Sequence, residues 1–188
     1  MQDTQKRDGK PPSIPVFTEE NDIFDFYIGK NAGKRLYGKL YDAKKSIKII
    51  SPFLTEKMIE ELSFKSKENV NEIYLITTVS EHINKTHLTA LKLLYRCIRK
   101  NEFKIFFNTV FFKGDFLHEK LYIIDDEFVF VGSLNFTNKG VNQNIESVIL
   151  FKKPDIIQKA ISYFNALHST IAIERWDIVE LDKLIQSK

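Results

Sequence analysis

Two rhythms of apolar and polar positions run along the chain. Between residues 34 and 45, Leu36, Leu40 and Ala43 recur at helical spacing. The β-branched run Ser46-Ile47-Lys48-Ile49-Ile50 follows and stops at Pro52, which predicts a strand. Thr55 stands where a helix cap belongs, and Met58, Ile59 and Leu62 predict the buried face of a helix reaching about residue 65. Residues 73–78 are almost wholly apolar, the mark of a strand covered on both faces. Residues 86–100 read as an amphipathic helix with Leu88, Leu91, Leu94, Tyr95 and Ile98 on one side, and residues 103–107 are strand-like again. This β-α-β-α-β order predicts an α/β protein, a mixed β-sheet flanked by helices on both faces.

The second half changes character. The apolar runs at 120–124 and 128–131 are joined by Asp125-Asp126-Glu127, a predicted hairpin. Residues 145–151 form a further predicted strand. Pro154 stands at the start of a helix running to about residue 168, with Ile157, Ile161, Phe164 and Leu167 facing inward. A short final helix is expected over 178–185. Residues 1–20, with Gly9, Pro11, Pro12, Pro15 and scattered charge, lack periodicity and read as a flexible tail. The chain thus divides into that tail, a single domain over 21–170 without internal repeats, and a helical extension over 171–188.

Composition narrows the function classes. A chain of 188 residues with 43% hydrophobic and 28% charged residues is no disordered chain. No run approaches the roughly 20 apolar residues that span a bilayer. Residues 1–10 carry no apolar signal-peptide core, and the lone Cys97 can form neither an internal disulfide nor a CxxC metal pair, so a cytoplasmic location is expected. The formal net charge of +3 is too mild to identify a partner, which shifts attention to local charge. Lys30, Lys34, Arg35, Lys39, Lys44, Lys45 and Lys48 crowd one segment broken only by Asp42. Lys92, Arg96, Arg99 and Lys100 recur opposite the leucine face of their helix. Such stripes are solvated helix surface or a track for a phosphate backbone; on the second reading Lys34, Arg35, Lys39, Lys92, Arg96 and Arg99 contact substrate.

Candidate chemistry concentrates in one stretch. His118-Glu119-Lys120-Leu121-Tyr122-Ile123-Ile124-Asp125 is an H-x-K-x-x-x-x-D pattern, followed by Gly132-Ser133-Leu134-Asn135 and by Asn144-Ile145-Glu146. Strand alternation puts His118 and Lys120 on one face, a poor pair for a core and a sensible one for gripping phosphate. Ser133 and Asn135, again two apart, supply hydroxyl and amide donors for phosphate oxygens. Glu146, a carboxylate in an otherwise apolar strand, is expected to accept the second imidazole N–H and fix the reactive tautomer. Asp125, in the hairpin turn, suits local backbone bonding rather than substrate contact. His82 and His87 flank a helix start and read as capping or solvated residues. Phe111, Phe112 and Phe116 fall in a predicted loop, where they line the site mouth or pack in the core. No Asp, Glu, His or Cys cluster has metal-ligand spacing, so neither metal nor cofactor is expected.

These residues resemble the phospholipase D superfamily, whose signature is an HKD motif followed by G-S-x-N and a later acidic residue. His118, Lys120 and Asp125 match the first part, Gly132, Ser133 and Asn135 the second, and Glu146 the third. Ile49-Ile50-Ser51-Pro52-Phe53-Leu54-Thr55 is similar to the family's first strand and turn. The resemblance spans roughly residues 22–167 and implies the phospholipase D-like fold with one HKD domain per chain. It also implies a structural role for Asp125. A single motif resembles the small bacterial nucleases of the family, which pair two chains about a twofold axis. It therefore implies a homodimer in which one His118 attacks phosphorus to form a phosphohistidine, while the partner's His118 protonates the leaving oxygen and then activates water. The expected activity is metal-independent hydrolysis of nucleic acid, DNA before RNA, with a place in restriction or defence left open and no stable membrane association. A phospholipid phosphodiesterase and a non-catalytic nucleic-acid-binding module are the alternatives.

Overall fold

The computed structural model describes residues 17–67, 70–80, 83–103, 106–113, 117–170 and 178–187. Eight strands form one mixed sheet in the order β1-β2-β8-β7-β6-β3-β4-β5. They are β1 (Phe17–Glu20), β2 (Phe24–Lys30), β3 (Ser46–Ile50), β4 (Glu72–Val79), β5 (Phe106–Lys113), β6 (Leu121–Ile124), β7 (Phe128–Gly132) and β8 (Ile145–Phe151). Helices α1 (Gly33–Asp42), α2 (Glu56–Lys65), α3 (Lys85–Arg99), α4 (Asn138–Asn142), α5 (Pro154–Thr170) and α6 (Ile178–Ser187) complete the chain.

The β3-α2-β4-α3-β5 half is the parallel part of the sheet, and the β6–β7 hairpin and β8 continue it antiparallel. Strand alternation divides the core. Ile47 and Ile49, Ile73 and Leu75, and Tyr122 and Ile124 join the helical residues Leu36, Leu40, Ile59, Leu62, Leu91 and Leu94. Ile50, Ile76, Leu121 and Ile123 face the other way, against Ile157 and Phe164 of α5. Helices therefore cover both faces, with α5 alone filling the second cluster among the described residues. All five positions of β3 are buried, as expected for a strand with helices above and below it.

Several expectations change in detail. Phe17–Glu20, within the expected tail, pairs antiparallel with β2 as an edge strand; residues 1–16 lie outside the described residues. Strand β2 itself carries no expectation from the sequence. The fifth strand begins at Phe106, leaving Phe103 buried before it, so Phe111 and Phe112 lie within β5 rather than in a loop. Phe111 is a core residue, and Phe116 lies outside the described residues. Asn138-Lys139-Gly140 opens the short helix α4, which the Thr137 hydroxyl caps. Thr55 does occupy the N-cap of α2, but its hydroxyl accepts the N–H of Asn138 instead of capping its own helix.

Candidate active site

Register brings the candidate residues to one edge of the sheet. Ile50 pairs with Leu121 and Leu121 with Val131, so the start of β6 lies beside the ends of β3 and β7. The start of β8 reaches the same edge, since Gly132 pairs with Val148. His118 and Lys120 lie just before β6, in irregular backbone rather than in the strand. The Lys120 Nζ nevertheless reaches His118 Nδ1 at 3.1 Å and also donates to the His118 carbonyl. Lys120 is buried while His118 is exposed. Burial pushes the Lys120 ammonium below its ordinary value, and the nearby Glu146 carboxylate pulls the other way.

The loop after β7 is held from three sides. Tyr122 donates its hydroxyl to the Leu134 carbonyl at 2.7 Å, the Phe136 N–H donates to Ser51 Oγ at 2.9 Å, and Phe136 bridges to Leu54. A Cβ at Gly132 would lie 2.0 Å from the Ser147 carbonyl oxygen, so only glycine lets β7 close on β8 here. Ser133 donates its hydroxyl to Glu146 Oε2 and accepts the Ser147 N–H at 3.1 Å. Asn144 donates to Glu146 Oε1 at 3.1 Å. Asn135 Oδ1 is buried and has no hydrogen-bond partner. A χ2 flip exchanges amide oxygen and nitrogen, so this position can offer either an acceptor or a donor to a ligand.

The expected bond from His118 to Glu146 is absent. Glu146 spends its two oxygens on Ser133 and Asn144, and the His118 Nδ1 faces the lysine instead. While the ammonium donates to Nδ1, a neutral ring carries its proton on Nε2. Asp125, at the far end of β6, touches none of these groups. Its carboxylate accepts the N–H groups of Lys44, Lys45 and Ser46 at 2.7–3.1 Å.

The basic residues do not gather at this edge. Lys34, Arg35 and Lys39 line a groove along α1 together with Glu20, Asp25 and Asp42. Arg35 lies 3.4 Å from Glu20 and over the Tyr27 ring, and Lys39 lies over Phe128, at the end of β7 away from Gly132. Lys92 and Arg96 line a second groove with Glu56, Ile185 and Gln186, and Arg99 is exposed beside Tyr95. Lys48 belongs to no surface stripe: it is buried, 2.6 Å from Asp126.

His87 corrects the sequence reading most sharply. It is 1% exposed, accepts the Leu54 N–H on Nδ1 at 3.1 Å and faces the Thr78 carbonyl with Nε2 at 2.9 Å. The helix cap is Asn84, whose side chain accepts the His87 backbone N–H. His82 lies outside the described residues. A recess beside His118, lined in part by Phe53, Thr78, Asn84 and His87, has no counterpart in the sequence reading, because its walls come from three separate segments.

The comparisons with known proteins bear on family and fold. The family model described as "cardiolipin synthase, PLD-like domain" matches residues 36–168. No curated protein matches the chain. Among solved structures, NucT from Helicobacter pylori is similar at 19% identity and a TM-score of 0.59, covering 78% of this chain and 95% of that one. The phospholipase D family member Nuc from Salmonella typhimurium is similar at 16% identity and a TM-score of 0.59, covering 82% and 97%. TrmBL2, an archaeal chromatin protein described with a novel mode of DNA binding, gives 15% identity and a TM-score of 0.53, covering 80% of this chain and 54% of that one.

Proposed function

Because the chain belongs to the phospholipase D superfamily, we propose that it hydrolyses phosphodiester bonds in nucleic acid, DNA before RNA, through a covalent phosphohistidine on His118. The observation that carries this reading is the pairing of an exposed imidazole with a buried ammonium 3.1 Å away, at a sheet edge that also holds Ser133, Asn135 and Glu146. A phosphate drawn to that edge is a better partner for Lys120 than a neutral imidazole, and moving the ammonium onto a phosphate oxygen releases the His118 ring lone pair for attack. Asn135 provides a further donor for the oxygens as charge builds on them, and Ser133 a second once its hydroxyl turns from Glu146 to the phosphate. Attack forms a nitrogen–phosphorus bond as the oxygen–phosphorus bond to the leaving group breaks. That oxygen takes a proton from a second imidazole, which then removes a proton from the water that hydrolyses the intermediate. One chain supplies a single His118, so the second imidazole comes from another copy across a twofold axis.

Nucleic acid is favoured over lipid by the exposed cations of α1 and α3, among them Lys34, Arg96 and Arg99. The DNA binding described for TrmBL2 supports the same preference. The family model's description keeps a phospholipid as the second reading. Plasmid DNA and phospholipid vesicles, each incubated with the protein in excess chelator, separate the two. The expected result is DNA cleavage that survives the chelator, because the nucleophile is a side chain and not metal-bound water. Cleavage that vanishes in chelator and returns with magnesium or zinc overturns the mechanism. Hydrolysis of the lipid alone overturns the substrate.

A further inference from the structure

Resting on the nucleic-acid reading of the same site, we propose that the recess beside His118 is a subsite for the nucleobase next to the scissile phosphate, with Phe53 as its stacking platform. The recess measures about 320 Å³, and His118 itself forms part of its wall, so whatever fills it lies against the reacting group. That volume falls within the range of small-molecule pockets. Phe53 is 37% exposed although it follows the buried run of β3, and its ring meets His87 edge-on at 5.9 Å between centroids. His87 in turn is fixed at both ring nitrogens, to the Leu54 N–H and the Thr78 carbonyl. Phe53 is therefore held in place before any ligand arrives, and its ordering costs little on binding.

The lining also selects the class of occupant. Leu117 and Phe53 are apolar, whereas Thr78, Ser80 and Asn84 are polar residues of the same lining. Asn84 commits its side-chain oxygen to the start of α3, not its NH2 group. An acyl chain matches only the apolar part of that lining. A heteroaromatic base offers a flat face to Phe53 and donors and acceptors along its edge, which matches both kinds of wall. Stacking tolerates every base, so the recess reads the presence of a base more than its identity.

The test uses the full chain and single-stranded oligodeoxynucleotides that carry one abasic residue, moved along the strand. Wild type is expected to cut about 5- to 100-fold more slowly at the phosphate flanking the missing base than at the same phosphate in the intact strand. Phe53→Leu, which keeps apolar bulk, and Phe53→Ala are expected to raise KM for the intact oligonucleotide and to lose the abasic penalty. Phe53→Trp is expected to keep both, and Tyr41→Ala, an exposed aromatic on α1, to match wild type. Wild-type cleavage that is indifferent to the missing base overturns the subsite and leaves the nuclease reading standing. A wild-type abasic penalty that persists in Phe53→Leu assigns the base to another wall and overturns the role of Phe53. Failure of the wild type to cut any oligonucleotide overturns the function and the subsite together.

Discussion

His87 holds together the end of β4, the start of α3 and the loop that carries Phe53, because each ring nitrogen has a backbone partner in a different segment. Burial pushes its imidazole below the ordinary value of 6.5, and the bond to the Thr78 carbonyl opposes that only in part. Below 6.5 the unfolded chain binds a proton that the folded chain refuses, so this contribution to stability is complete above 6.5 and is lost as the pH falls. Urea midpoints measured across that window are expected to decline with falling pH, and His87→Gln, which can keep one acceptor and one donor, is expected to flatten the decline. A decline of equal slope in the variant would assign it to other groups. His87 shows why one residue of the site region was illegible in the sequence. A histidine three positions past an Asn looks like a capping residue, and only the long-range contacts with Leu54 and Thr78 reveal it as a core hub. Glu146 shows the same limit from the other side. Its place in an apolar strand did signal a partnered carboxylate, but alternation does not tell which donors it meets; Ser133 and Asn144 took both oxygens.

Among the elements, the β6–β7 hairpin is clasped to the segment entering β3 by two carboxylates, Asp126 on the Lys45 and Lys48 ammonium groups and Asp125 on the backbone. Asp125 sits at φ 58°, a conformation that Asp and Asn tolerate, and accepts three consecutive backbone N–H groups. Asp125→Asn therefore keeps the turn's backbone preference and removes only charge and one acceptor. It is expected to cost about 1–3 kcal/mol of stability, read as a lower urea midpoint, while cleavage by the folded fraction stays near wild type. Loss of turnover without loss of stability would place Asp125 in the chemistry instead. The elements themselves were largely legible. The run at 46–50 and the run at 145–151 are strands with those bounds, and the helix ending at Lys65 stops where its apolar spacing stops. The first two strands were not legible, for a physical reason. In β2, Phe24-Asp25-Phe26-Tyr27 mixes a buried Asp with aromatics, because Asp25 is neutralised by Lys152 at 2.7 Å. A partner that distant in sequence cannot be read from the local pattern.

The whole molecule has one HKD motif where the proposed reaction uses two imidazoles. In the single chain His118 leans on Lys120, and Glu146 is occupied by its own neighbours. A twofold pairing that sets the two His118 side chains on opposite sides of one phosphorus makes the active site a property of the pair. Mixed dimers of wild-type and His118→Ala chains are accordingly expected to be essentially inactive, although each retains one intact motif. Half of the wild-type rate would mean that each chain works alone. The most direct measurement is on the covalent intermediate itself. An oligonucleotide labelled in its backbone phosphates, quenched in alkali during turnover and resolved under denaturing conditions, should leave label on the wild-type protein. The linkage should survive alkali, break in acid as a nitrogen–phosphorus bond does, and be absent from His118→Ala. Rapid turnover with no labelled protein, or label that persists in His118→Ala, would contradict the assignment of His118 as the nucleophile.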